Sequence, residues 1–176
     1  MLRQQLKAWE GRMLSFSLPA WEALPELELY MDQVILLLSR YLSFPLSGES
    51  GEDKVITASI VNNYVRMKVM PPPVKKKYGR VHLAYLLVFC TLKQSLSIAS
   101  IQRLLPMGID EGEVERIYTN FVRQYQEAKT AFSKYSEMIL PDALADDSLI
   151  IFAAVVSNLS KALTESLLSA GSETAK

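Results

Sequence analysis

The chain has 176 residues, 49% of them apolar and 22% charged, with 19 basic and 19 acidic side chains and no formal net charge. Such a chain can bury a core as one large domain or two small ones, and its composition is that of a soluble globular protein. A single cysteine excludes an internal disulfide or a multi-thiol metal site, and the longest uninterrupted apolar run, Leu149 to Val156, falls short of the roughly 18 residues of a membrane span.

The N-terminal MLRQQLKAWEGRM has no signal-peptide core, so a cytoplasmic protein without membrane attachment is expected. Leu2, Leu6, Trp9 and Met13 recur at helical spacing and predict a short first helix. Ser17-Leu18-Pro19 ends it. Pro25, Glu26 and Glu28 suit the first turn of a second helix reaching about Leu42. Phe44 to Asp53 reads as a loop. Thr57 is an N-cap for a helix ending near Lys68, where Pro71-Pro72-Pro73 imposes an extended segment. A basic turn, Val74 to Gly79, precedes a helix over about 80–94. Ser97 caps a short helix stopped by Pro106 and Gly108.

From Asp110 the pattern becomes acidic and periodic. Val114, Ile117, Phe121, Tyr125, Ala128, Phe132, Tyr135 and Ile139 follow steps of three and four, close to a coiled-coil seam ended by Pro141. Asp146 and Asp147 open a last helix to about Leu168, apolar on most sides and so expected to be buried on most sides. The tail GSETAK is expected to fray. No run reads as a strand, and the fold class is all-α. Residues 1–109 and 110–176 are the expected segments, either separate or within one compact domain.

Charge is unevenly spread. Residues 1–109 carry 13 basic and 8 acidic side chains, and residues 110–176 carry 6 and 11, surpluses of +5 and −5. Between Asp53 and Asp110 there are nine basic residues and no acid. A one-signed face attracts an oppositely charged partner. On helix 57–68, Asn62, Asn63 and Arg66 are able to read base edges, and Thr57 and Ser59 to hold phosphate at the helix N-terminus. Ile60, Val61, Tyr64, Val65 and Met67 hold the helix on the core. Lys68, Lys75, Lys76, Lys77, Tyr78 and Arg80 complete a surface suited to duplex DNA, the lysines positioning and the helix specifying. The same residues also fit a buried Asn62-Asn63 pair beside a solvated lysine loop.

The order of these pieces resembles the winged helix-turn-helix unit of the MerR family of transcription regulators over residues 56–105. Tyr64, Val69-Met70-Pro71-Pro72, the lysine turn, Tyr78, Leu83, Leu86 and Ser97-Ile98-x-x-Ile101-x-x-Leu104-Leu105 stand where that family has corresponding elements. MerR members carry Gly where Lys68 stands and Arg where Asn62 stands. The resemblance implies a DNA-binding regulator in which helix 57–68 enters the major groove. Across nearly the whole chain, FSLPAWEALPELELYMDQVILLL, ITASIVNNYV and PPPVKKKY resemble the bacterial family catalogued as domain of unknown function 1836, which implies no activity.

MerR-type proteins pair through a long helix after this unit, so the seam Val114, Ile117, Phe121, Tyr125, Phe132 and Tyr135 implies a homodimer. The helices of 110–168 would leave room for a small-molecule effector. An internal hairpin between that helix and helix 147–168 is the alternative. There is no P-loop, dinucleotide fingerprint or metal-ligand spacing, so no catalytic residue, metal or cofactor is assigned. His82 is expected to pack or touch phosphate, and Cys90, within LLVFCTL, to be an inert core thiol. Asp146-Asp147 and Glu111, Glu113 and Glu115 read as acids at helix N-termini. The alternative function is a non-catalytic protein-interaction adaptor, with Trp9, Trp21 and FSLPAWEALPEL either docking a partner or capping the helical core.

Overall fold

The computed structural model describes residues 2–46, 56–139 and 146–173. Its helices are α1 (Leu2–Ser15), α2 (Met31–Tyr41), α3 (Ser43–Leu46), α4 (Ala58–Arg66), α5 (Arg80–Leu92), α6 (Ile98–Leu104), α7 (Glu111–Ile139) and α8 (Asp146–Glu173), with a 3-10 turn at Trp21–Ala23. Among the described residues no strand forms, and the only β pairing is two isolated antiparallel bridges. The fold is therefore all-α. Of the loop expected over Phe44 to Asp53, residues 44–46 belong instead to the short helix α3, and the remainder lies outside the described residues, as do the break at Pro141 and the last three residues of the tail. Two compact units result, Gly11–Lys129 and Met1–Glu10 with Thr130–Lys176. Charge changes sign near residue 109, whereas the packing divides within α1 and within α7.

The unit Gly11–Lys129 is built around α5. Its residues from His82 to Cys90 are all buried, so this helix has no solvent face and needs cover on every side. α2 and α6 pack on it, and α4 packs on α2. Val34 and Leu38 of α2, Val61 and Tyr64 of α4 and Ile101 of α6 supply the facing apolar groups. The Tyr64 ring lies 5.5 Å from that of Phe89. Tyr85 donates from its hydroxyl to the Pro106 carbonyl at 2.6 Å, fixing the exit of α6. Gly108 follows at φ +82°, a backbone shape that side chains with a Cβ rarely adopt.

The segment after α1 covers the first half of α7. Trp21 lies 6.0 Å from the Tyr118 ring, Phe16 5.9 Å from Tyr125, and the Tyr118 hydroxyl donates to Pro19 O at 2.8 Å. Trp21 thus takes the core-capping place. Lys129 is buried; its ammonium donates to the carbonyls of Leu14, at 3.0 Å, and Phe16. It satisfies acceptors at the C-terminal end of α1, where a cation complements the helix dipole.

α2 and α8 also differ from what the sequence suggests. α2 begins at Met31 rather than near Pro25, because Leu29 is drawn into backbone pairing with Tyr78. The Gln33 side chain then accepts the Tyr30 N–H at 2.9 Å and starts the helix there. α8 is apolar but not buried on most sides: Leu149 is buried, whereas Ile151, Leu159, Leu163 and Leu167 are 61–65% exposed. Among the described residues, Asp147–Gly171 is also the one helix long and apolar enough to cross a membrane by length and composition. An uninterrupted-run criterion overlooks it because serines, Lys161 and Glu165 punctuate the helix. In the unit that holds α8, Trp9 meets Phe132 edge-on at 6.0 Å and Ser133 donates to Glu10 at 2.9 Å.

Burial pushes the Cys90 thiol up to about 12. The reactive thiolate is therefore scarce well above the ordinary thiol value of about 8.5. Native protein is expected to react with a disulfide-exchange reagent far more slowly than a free thiol at both pH 7.5 and pH 9, and rapidly once unfolded in guanidinium. A native rate equal to that of a free thiol at pH 7.5 would show an accessible Cys90.

Candidate nucleic-acid interface

α4 is amphipathic, and each of its ends is closed by a local device. At the N-terminus the Thr57 hydroxyl accepts the Ile60 N–H at 3.4 Å, so its lone pair serves the helix. At the C-terminus the Lys68 N–H bonds Val65 O at 3.0 Å and the Val69 N–H bonds Tyr64 O at 3.1 Å. With Lys68 at φ 54°, this is the Schellman arrangement, in which glycine usually holds the left-handed position. Val69 and Tyr64 are both buried and make its apolar closure. Burial pushes the Tyr64 hydroxyl up to about 12, with the Cys90 charge adding.

The inward positions Val61 and Tyr64 leave Ser59, Asn62 and Arg66 facing solvent. Asn63 is half-buried, and its amide is committed: the oxygen accepts from Arg66 Nη2 at 2.7 Å, and the nitrogen donates to Met67 Sδ at 3.3 Å. The pair expected as two equal base readers therefore divides. Asn62 stands free in solvent, and Asn63 braces the Arg66 guanidinium.

Beyond α4 the chain is pinned from two sides. Gln102 of α6 donates to Lys68 O at 3.4 Å. His82 bridges the prolines to the start of α5: its Nδ1 accepts the Gly79 N–H at 3.0 Å, and its Nε2 lies 3.1 Å from Pro72 O. Because a carbonyl only accepts, these partners assign the Nε2–H tautomer. His82 is thus a packed strut, buried beside Tyr78. Between the struts, Val74 and Lys77 exchange both backbone hydrogen bonds, at 3.1 and 2.9 Å. Lys75 and Lys76 take φ of 49° and 64° between them, the sign pattern of a type I′ hairpin turn.

The six basic-turn residues separate into two sets. Lys68, Lys75 and Lys76 are exposed. Lys77, Tyr78 and Arg80 turn inward. Tyr78 is buried, and its backbone exchanges two 2.9 Å bonds with Leu29. Lys77 lies 3.8 Å from Glu28 and 5.7 Å from the Tyr30 ring centroid. Arg80 donates to Leu24 O at 3.3 and 3.1 Å and to Glu26 at 3.2 Å, over the Trp21 ring. Lys77 and Arg80 line a cleft of 430 Å³ with Glu26, Glu28 and Glu111, whose mixed charge gives no anion site. Tyr78 and Arg80 are consequently structural ties, and the charge of Lys77 is partly neutralised by Glu28. Glu26 partners Arg80 and Glu28 partners Lys77, not the first turn of a helix as the sequence suggested; His82 packs, which was one of its two expected roles, whereas Gln102 carried no sequence signal for the bracing it supplies.

Along α7, Val114 is buried, Ile117, Phe121 and Tyr125 are half-buried, and Phe132 and Tyr135 are 42% and 38% exposed. Tyr118, outside the expected seam, is its most deeply held ring, and the chain's own Phe16 covers Tyr125. The described residues include no group of three or more His, Cys, Asp or Glu able to hold a metal ion.

The family model described as Domain of unknown function (DUF1836) matches residues 19–127, more than half of the chain. These residues take in α2, α4, the lysine turn, α5 and α6. No curated protein and no solved structure matches.

Arg80→Ala removes hydrogen bonds from a charged donor to the largely enclosed Leu24 carbonyl. It is expected to lower the unfolding free energy by about 2 kcal/mol, read from the urea midpoint at constant slope. An unchanged midpoint would mean that the guanidinium does not tie residues 24–26 to α5.

Proposed function

The chain belongs to the family of the domain of unknown function 1836, whose description leaves the role to be argued from the residues, and we propose that it is a DNA-binding transcriptional regulator. α4 lies in the major groove, and the lysine turn rests on the backbone beside it. The observation that carries this reading is the sorting of charge. In a span of 56 residues without an acid, Arg66, Lys68, Lys75 and Lys76 face solvent with no acidic partner among the described residues. Lys77 and Arg80, which do meet acids, point elsewhere. A polyanion that neutralises several such cations releases its counterions, which supplies the affinity.

The MerR likeness supports the reading in one further detail. Lys68 takes a left-handed φ of 54° at the position where MerR members carry glycine, so the backbone there behaves alike although the residue differs. Base readout falls to Arg66, whose guanidinium suits the O6 and N7 acceptors of guanine, with Asn63 holding it and Asn62 beside it. A homodimer would set two copies of α4 on half-sites about 34 Å apart. Of the α7 seam, Phe132 and Tyr135 are the rings left exposed for such pairing.

A second reading, a protein-interaction adaptor on the same scaffold, draws on α8, whose Ile150, Ile151, Val155, Leu159 and Leu163 stand exposed. Salt dependence separates the two. Fluorescence anisotropy with pooled genomic duplexes at 50 and 200 mM salt is expected to show binding that weakens on the order of a hundredfold. Lys76→Ala should weaken all sequences about equally. Arg66→Ala should cost about 1–3 kcal/mol on the preferred site and relax preference at one guanine. No duplex binding at low salt by folded protein would remove the DNA reading in favour of the adaptor.

A further inference from the structure

Lys68, Lys75 and Lys76 are the only non-glycine residues with positive φ among the described residues, at 54°, 49° and 64°. A Cβ makes this region costly, and glycine enters it freely, with asparagine next. Lys68 fills the glycine position of a Schellman motif, and Lys75 and Lys76 fill a two-residue turn for which Asn-Gly is the common solution. Three separate backbone positions that favour glycine thus hold lysine.

Packing gives no reason for this, because all three side chains are exposed. Ion pairing gives none either, since no acid meets them among the described residues. The backbone bonds of both motifs use only main-chain atoms, which glycine would supply equally well. What lysine alone adds is the ammonium. Backbone strain of this kind persists where a side chain is needed in place. The roots of the three side chains are also held: Gln102 grips Lys68 O, His82 grips Pro72 O, and the Val74–Lys77 bonds close the turn. Less backbone freedom is then lost when the ammonium groups meet a ligand.

We propose that Lys68, Lys75 and Lys76 each hold one backbone phosphate of a bound duplex, and that they stand at left-handed positions for that purpose, against the preference of the backbone for glycine. This rests on the DNA-binding reading and names its phosphate contacts, from which Arg80 and Tyr78 are left out.

The test uses the full chain with Lys68→Gly, Lys75→Gly, Lys76→Gly and their combination. Thermal unfolding is measured beside duplex binding by anisotropy at four salt concentrations. Each single substitution is expected to raise the unfolding midpoint by about 2–4 °C. Each should also reduce the slope of log affinity against log salt by about 0.9 per bound protomer, and the combination by about 2.7 per protomer. Lys76→Asn, which tolerates the same φ, should change the slope as Lys76→Gly does. If the wild type binds duplex and the slopes of the variants match its own, the phosphate assignment is overturned while the DNA reading stands. Midpoints that fall would overturn the claim that lysine is held there against the backbone. A wild type that binds no duplex at low salt would overturn both.

Discussion

A helix with no solvent face organises the unit Gly11–Lys129. From His82 to Cys90 each residue of α5 is buried, so other elements must surround it, and every one that does so is thereby placed. Losing cover is costly at such positions: truncating one buried leucine to alanine typically removes about 2–5 kcal/mol. The amphipathic α4 is held within this group by Val61 and Tyr64, which leaves its polar residues no direction but outward. The exposure of Ser59, Asn62 and Arg66 thus follows from what their helix must bury.

The start of α5 governs the basic turn. Gly79 and His82 join it to the proline segment, Arg80 joins it to Leu24 and Glu26, and Tyr78 pairs with Leu29. Ties made by four neighbouring residues leave the turn little choice of path. They also divide a run of cations that looks uniform in the sequence. Lys77 and Arg80 are struts with acidic or carbonyl partners, and Lys75 and Lys76 project from a closed two-residue turn. Charge density along a chain therefore overstates the charge presented to a partner, because some of it neutralises the protein itself.

α8 shows the opposite limit of reading composition. Its apolar content resembles that of a core helix, yet Ile151, Val155, Leu159, Leu163 and Leu167 are exposed. Hydrophobicity sets a free-energy gain for burial; it does not say which surface is available to deliver it. α7 divides likewise. Its periodicity is real, but Tyr118 and Tyr125 meet Trp21 and Phe16 of the same chain, because a seam of rings accepts any complementary apolar surface.

Much of this protein was settled by its sequence. Helical periods, the caps at Thr57 and Ser97 and the stop at the three prolines determined the all-α class and most helix boundaries, since these signals act through neighbours within a few residues. The acid-free span was equally legible, being a matter of composition. Tertiary structure alone decided that α2 begins at Met31, that Asn63 braces Arg66, that Arg80 is a tie, and that α8 is exposed. Each of these depends on a partner side chain or backbone atom brought close by folding, or on the absence of a covering face. Leu24 and Arg80 are 56 residues apart, and no local pattern encodes a contact whose cost and gain are set by the closure of the chain between them.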